Sequence, residues 1–347
     1  MPRQAMDRHA GLGGVGLKLL RSDLVNTTHP LDPAAPTYIA GHRGMVGSAI
    51  HRKLQSEGFT DLIGRSHREL DLTDRTATFE FFAKTQPPVV ILAAARVGGI
   101  LANKTYPVDF ISENLRIQTN VMDAALKYGT QRLLFLGSSC IYPKMAAQPI
   151  TEDALLTGSL EETNDAYAIA KIAGIVAVQA VRRQYGLPWI SAMPTNLYGP
   201  GDNFSPTTSH VLPALIHRYE EAKESGKSTV TNWGTGTVRR EFMHVDDMAS
   251  ACLHLLQQFD GPQQVNVGTG TDHSIRETAQ LVASAVGYEG ETDWDTSKPD
   301  GTPRKLLDIS TLRDSGWQPS ISLQDGIEQT LAWYRQNRAD IRRVALA

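Results

Sequence analysis

Thr37-Tyr38-Ile39-Ala40-Gly41-His42-Arg43-Gly44-Met45-Val46-Gly47 is the stretch whose reading decides the fold. Four residues of strand character run into a turn spaced G-x-x-G-x-x-G, and Ser48 to Glu57 then reads as a helix. Glycine at these positions permits a tight turn, lets the backbone approach a pyrophosphate and allows helix to pack closely on strand. The helix start offers free N–H groups to phosphate. The order strand, glycine turn, helix predicts the first unit of a Rossmann-type, doubly wound parallel sheet in an α/β protein, with a dinucleotide at the turn. A second pattern, Gly11-x-Gly13-x-x-Gly16, matches the dinucleotide fingerprint letter for letter. Asp7-Arg8-His9-Ala10 precedes it and Pro30, Pro33 and Pro36 follow, so neither strand nor helix frames it. It is read as part of a disordered arm over residues 1–35, with a transit peptide as the other reading.

Downstream, Leu62-Ile63-Gly64 reads as a strand ending in Arg65-Ser66-His67-Arg68. A cofactor with a free ribose 2′-OH usually meets Asp or Glu near this point. The segment is basic instead, and Arg43 adds a cation, which favours a 2′-phosphate and hence NADP. Glu69 and Asp71 lie close by and oppose that reading, and Asp71-Leu72 could instead flank the adenine. Val89–Leu92 is read as the fourth strand, with Ala93-Ala94-Ala95 leaving room for a cofactor; a helix is expected over 110–128. Residues 131–137 form the next strand. Its apolar Leu133-Leu134-Phe135-Leu136 turns small and polar at Gly137-Ser138-Ser139-Cys140, as the carboxyl end of a buried parallel strand does. Ligands of open α/β sheets bind just beyond such ends.

A long helix is expected over 166–185, capped by Asn164 or Asp165 and apolar nearly all round, which predicts burial on both sides, a second subunit being one cover. Trp189–Met193 is a further strand leading into Pro194-Thr195-Asn196-Leu197. After Gly201 the alternation loosens. The expected division is a cofactor-binding region of 36–197 plus 243–269, and a smaller α/β substrate-binding region of 198–242 plus 270–347.

Composition excludes several classes. A net charge of −3 with no Lys/Arg block argues against general nucleic-acid binding. The longest apolar run, Val89 to Ala95, is too short to span a bilayer. Two cysteines, Cys140 and Cys252, make no disulfide framework and fit a reducing, cytoplasmic location. No metal site is expected.

Tyr167 and Lys171 are four apart and so share a helix face. An ammonium beside a phenol favours the phenolate, and the expectation is that Lys171 lowers the Tyr167 pKa. Tyr167 can then pass a proton to a carbonyl oxygen as hydride arrives, with Ser138 as second hydrogen-bond partner. Taken alone, Cys140 reads as a small hydrophobe and His210 as a surface histidine; Cys140 gains a catalytic reading because it stands two residues from Ser138 at the ligand end of the strand.

With these residues in view the chain resembles the extended short-chain dehydrogenase/reductase family from about residue 37 to 335. The stretches that carry this are GHRGMVGSAI (41–50), AAARVGGILAN (93–103), LLFLGSSCIYPK (133–144), TNDAYAIAKIAGI (163–175), MPTNLYGPGDNF (193–204), REFMHVDDM (240–248), NVGTG (266–270) and SKPDGTPRKLLD (297–308). The Ser-Ser-Cys and MPTNLYGP stretches are specific, whereas many reductases share Y-x-x-x-K. The resemblance implies a soluble homodimer that uses NADP(H) to epimerise a GDP-4-keto-6-deoxy sugar at C3 and C5 and reduce it at C4. It implies Ser138, Tyr167 and Lys171 as the reductase triad and Cys140 with His210 as the carbon acid-base pair. It implies cofactor contacts from 41–47, Arg65, His67, Arg68, Leu72, Leu136-Gly137-Ser138-Ser139, Tyr167, Lys171, Pro194–Leu197 and His210. Arg218, Trp233, Arg240 and Asp300 fall where the family meets the GDP-sugar. His67 and Arg68 depart from the family's arginine pattern at the 2′-phosphate subsite. Competing readings are an NAD-dependent nucleotide-sugar 4-epimerase, which needs no Cys-His pair, and a non-catalytic NADP-binding regulator, which has no use for Tyr167-Lys171. A 4,6-dehydratase would need an acidic pair where Ser139-Cys140 stands.

Overall fold

The computed structural model describes residues 29–205, 208–298 and 300–338. Residues 1–28, with the second glycine pattern and most of the expected arm, lie outside the described residues. The arm expectation does not hold as far as residue 35. The His29 N–H donates to the Gln257 carbonyl and the Thr60 N–H to that of Pro33, while Leu31 packs on the core.

Strands β1 (Thr37–Ala40), β2 (Leu62–Ile63), β3 (Val89–Leu92), β4 (Arg132–Leu136), β5 (Ile190–Pro194) and β9 (Val265–Val267) form one parallel sheet in the order β2-β1-β3-β4-β5-β9. Val89–Leu92 is thus the third strand in chain order, not the fourth, because Leu62–Ile63 alone stands between it and β1. Side chains of a strand alternate between faces, and both faces here are apolar. Ile39, Ile91, Leu134 and Leu136 pack with Ile50 and Leu54 of α1 (Met45–Ser56) and with Met248, Cys252 and Leu256 of α7 (Val245–Gln258). Tyr38, Val90, Leu92, Leu133 and Phe135 pack the other way, against α2 (Arg75–Thr85), α4 (Pro107–Lys127) and α5 (Asp165–Tyr185). Burying each such Leu, Ile or Phe is worth about 1.5–3 kcal/mol. A run of consecutive apolar residues is what helices on both sides require.

α5 is covered on one side by its own chain. Ala168, Ile172 and Ile175 are buried, but Ile169 and Val176 are 44% and 43% exposed, so one face of the helix is uncovered in the single chain. Asn164 occupies the N-cap position without a side-chain cap bond, and the Asp165 carboxylate takes the Ala166 N–H instead.

A third apolar cluster is built from residues that follow β5 in the chain. α6 (Val211–Glu224), α8 (Ile275–Val286) and α10 (Leu323–Asn337) pack Leu215, Ile216, Tyr219, Val282, Leu331 and Tyr334 together. The short strands are β6 (Asn196–Tyr198), β7 (Thr229–Trp233), β8 (Arg239–His244), β10 (Asp272–Ser274), β11 (Glu291–Asp295) and β12 (Arg304–Lys305). β8 pairs with β10, β12 and β6, and β7 pairs with β11. Two short helices, α3 (Ile100–Thr105) and α9 (Ser310–Asp314), complete the chain.

Candidate active site

The glycine turn lies where the strand order reverses, with β1 between β2 and β3. Gly41 has φ +85°, and a Cβ there would stand 2.8 Å from the Ala94 nitrogen; on Gly47 it would stand 2.1 Å from the Gly41 carbonyl oxygen. Those two glycines are required by the protein itself. Gly44 is different: a Cβ there would meet only the Gly41 oxygen, at 3.4 Å. What Gly44 leaves room for is therefore not protein. It caps α1, which has no side-chain cap and no acidic residue in its first turn, so N–H groups are left for an anion. A nucleotide pyrophosphate fits this cradle. Met45 and Val46, half-buried, open the helix.

The His42 ring lies over Gly64, where a Cβ would come within 2.4 Å of it, and its buried Nδ1 has no partner. Of the basic residues after β2, Arg65 donates to the Gly64 carbonyl and lies 5.7 Å over the Phe81 ring, and His67 turns to Asp71 at 3.7 Å. Arg43 and Arg68 are exposed and make no ion pair among the described residues. The two nearby carboxylates are engaged locally, Glu69 by the Ser66 N–H and hydroxyl and Asp71 by those of Thr73. Neither is the free acid that a ribose 2′-OH would need. Leu72 is buried, its carbonyl accepting from Asn120.

The catalytic candidates come from the end of β4, from α5 and from the start of α6. Gly137 packs on Met193, where a Cβ would come within 2.3 Å of the thioether. The Ser138 hydroxyl accepts weakly from the Cys140 N–H at 3.4 Å, at the head of a single 3₁₀ turn, and Ser139 is buried. Lys171, 4% exposed, donates to the Leu136 carbonyl at 2.8 Å and lies 5.7 Å from the Tyr167 ring. Tyr167 is held edge-on by Phe110 at 6.2 Å. Pro194 ends β5 and Thr195 continues the ladder, its N–H donating to Val267. Asn196 and Leu197, half-buried, pair with β8 in β6.

The electrostatics correct one expectation. Burial, reinforced by Cys140, pushes the Tyr167 phenol up, so it stays protonated at neutral pH; Lys171 is not what sets it. Burial also brings the Lys171 ammonium down to about 8. The Cys140 thiol is raised by burial, and the groups favouring its thiolate are Lys305 first, then the Ser138 hydroxyl and Lys171. His210 is not among them. It precedes α6 and is open to solvent, yet is crowded enough that burial lowers its pKa.

The substrate candidates assemble around β7 and β8. Arg218 donates to Asn232 at 2.5 Å, and Trp233 next to it is 68% exposed with the Lys298 ammonium 5.8 Å from its ring. Asp300 accepts from the Thr235 N–H at 2.7 Å and from its hydroxyl at 2.9 Å. Burial lowers the Arg240 guanidinium and Asp300 opposes that. Arg240 pairs in register with Lys305 of β12, and Lys305 in turn acts on Cys140. Sequence reasoning passed over Lys305. It lies within SKPDGTPRKLLD, but only the β8–β12 pairing brings it to the thiol.

A doubly wound parallel sheet with a glycine turn at its reversal and a Tyr-x-x-x-Lys helix beside the strand ends is the class of nucleotide-cofactor proteins with a Rossmann fold. The chain belongs to the NAD dependent epimerase/dehydratase family, whose pattern matches residues 37–268. It is 59% identical to GDP-L-fucose synthase 1 of Arabidopsis thaliana over 306 residues, which is 88% of this chain and 95% of that one. It is 52% identical over 310 residues to GDP-L-fucose synthase of Escherichia coli (strain K12), covering 87% of this chain and 97% of that one. Its fold is similar, with a TM-score of 0.83 and 26% identity, to a GDP-L-fucose synthetase from Naegleria fowleri bound to NADP, covering 92% and 99% of the two chains.

Proposed function

We propose that this enzyme converts GDP-4-dehydro-6-deoxy-D-mannose to GDP-L-fucose, by epimerisation at C3 and C5 and NADPH-dependent reduction at C4. The observation that carries it is the Lys171 ammonium, which donates to the Leu136 carbonyl at the strand end leading to Ser138 and Cys140 and lies 5.7 Å from the Tyr167 ring, in a chain 59% identical to GDP-L-fucose synthase 1 of Arabidopsis thaliana. A C4 ketone acidifies the protons at C3 and C5, and the charge left by removing either one resides on O4. Tyr167, held protonated by burial, and Ser138 are donors for that oxygen. Cys140 must shed its proton to act as a base, and Lys305 lowers the cost. His210, held neutral, is the second proton carrier. When bound, NADPH supplies the hydride. Tyr167 gives its proton to the resulting alkoxide, and Lys171 fixes the strand end through the Leu136 carbonyl.

The cradle at 41–47 holds the pyrophosphate, and Arg43 and Arg68 are the cations available to the 2′-phosphate. Arg218, Trp233, Arg240 and Asp300 are the contacts for the GDP-sugar. Residues 36–197 plus 243–269 form the cofactor-binding region and 198–242 plus 270–338 the substrate side. The protein works as a homodimer through α4 and α5, supported by the uncovered Val108, Ile169 and Val176. Two free, buried cysteines support a reducing cytoplasm, and no helix among the described residues is long and apolar enough to cross a membrane.

The deciding measurement is deuterium wash-in from solvent at C3 and C5, followed by NMR. Cys140→Ser keeps the volume but is a far weaker acid, so wash-in is expected to collapse while C4 reduction persists. Tyr167→Phe is expected to block reduction and slow wash-in. Unchanged wash-in in Cys140→Ser would return that residue to the role of a small buried hydrophobe.

A further inference from the structure

Glu241 has no role in the mechanism above, yet it is completely buried and heavily bonded. One carboxylate oxygen accepts from the N–H of Thr269 at 2.6 Å, from that of Gly270 at 2.7 Å, and from the Thr269 hydroxyl at 3.4 Å. The other accepts from the Leu307 N–H at 3.0 Å. Its backbone carbonyl accepts from the Asn196 side chain at 2.8 Å and from the Thr195 hydroxyl at 3.3 Å. A Cβ on Gly268 would stand 2.3 Å from the carboxylate, so the glycine of this loop is shaped around it. Its chain neighbour is Arg240, and Leu307 lies two residues beyond Lys305.

We propose that Glu241 is a positioning residue for the reaction, its carboxylate tying the loop after β9 to Leu307 and so to the strands that carry Arg240 and Lys305 on the substrate side. This rests on the reading of Arg240 as a substrate contact and of Lys305 as the cation that acts on Cys140. Each group on the carboxylate is a donor, so both oxygens must accept. An amide has one acceptor and would turn its NH₂ against an N–H. Glu241→Gln keeps more bonds by leaving its oxygen on Thr269 and Gly270, which sets the NH₂ against Leu307. β12 is then released, and Lys305 with it. The bonds from Thr195 and Asn196 go to the backbone carbonyl and survive the change.

The role therefore has an asymmetric signature. In Glu241→Gln the KM for the GDP-sugar rises about tenfold, the size of one lost hydrogen bond to a charged group, while the Kd for NADPH stays within about twofold. Glu241→Asp keeps the charge but cannot span both sets of donors, and gives a smaller shift of the same kind. Asp247→Asn is the control. Asp247 is equally buried and accepts from the Ser320 N–H and hydroxyl and the Ile321 N–H, away from the site. It should lose thermal stability and keep both constants. An unchanged GDP-sugar KM in folded Glu241→Gln, or equal losses for both ligands, overturns the proposal. Arg240→Ala, run alongside, tests the underlying reading: an unchanged KM there overturns the site itself. Should neither Glu241 variant fold, amide exchange in the unaltered protein decides. GDP is expected to slow exchange at Leu307, Thr269 and Gly270 together, and no change at Leu307 overturns the proposal.

Discussion

Lys171 shows how one buried charge sets a working range. Its folded pKa, about 8, is below the ordinary lysine value because burial disfavours the ammonium. Below pH 8 the group is charged; as pH rises through that value it becomes neutral, and the hold on the Leu136 carbonyl weakens. The kcat/KM profile, which reports the free enzyme, is expected to fall above about pH 8. A flat profile up to pH 10 would show that the charge is not needed. Cofactor choice is expected to rest on Arg43 at the same scale. Arg65 is turned toward Phe81 and His67 toward Asp71, so the turn's own arginine is the better placed cation. Arg43→Ala should cut the kcat/KM preference for NADPH over NADH about tenfold, chiefly through NADPH. An unchanged ratio in parallel assays would move the 2′-phosphate to Arg68.

Elements are held together here by buried polar residues as much as by apolar ones. Arg132 of β4, 3% exposed, donates to the carbonyls of Leu255, Leu256 and Phe259 at the end of α7 and to that of Pro188 before β5. A helix end leaves its last carbonyls unpaired, and one guanidinium satisfies those of Leu256 and Phe259 and adds a second donor to that of Leu255 while its pKa falls to about 10 through burial. Arg132→Leu strands the carbonyls of Leu256, Phe259 and Pro188, that of Leu255 keeping the Phe259 N–H, and should cost about 3 kcal/mol, read as a lower urea midpoint. An unchanged midpoint would mean that water replaces the guanidinium. Nothing in the sequence around Arg132 announces this role, because its partners come from more than fifty residues away. The same reason hid Lys305 and the β8 pairings: strands of two or three residues carry too little alternation to register. By contrast, the β1-turn-α1 unit and the Tyr167-Lys171 pair were legible because their logic is local. Local spacing also misled, since Lys171 beside Tyr167 suggested a lowered phenol, whereas burial decides its direction.

At the scale of the whole molecule, the uncovered stripe on α5 asks for a partner. Ile169 and Val176 are seven apart and so share a face, and Val108 on α4 adds to it. Val176→Asp should turn a dimer into a monomer by light scattering at micromolar concentration, and a monomeric unaltered protein would refute the assembly. The path of the chain has another consequence. β1 and α1 are laid down near the start, but their apolar face is covered by α7, and the sheet's last strand, β9, comes later still. Between them the chain has left to build β6, α6, β7 and β8. On a ribosome, the first-made layer must wait with Ile50 and Leu54 bare until residues 245–258 emerge. Nascent chains halted before that point are the ones that should call on chaperones.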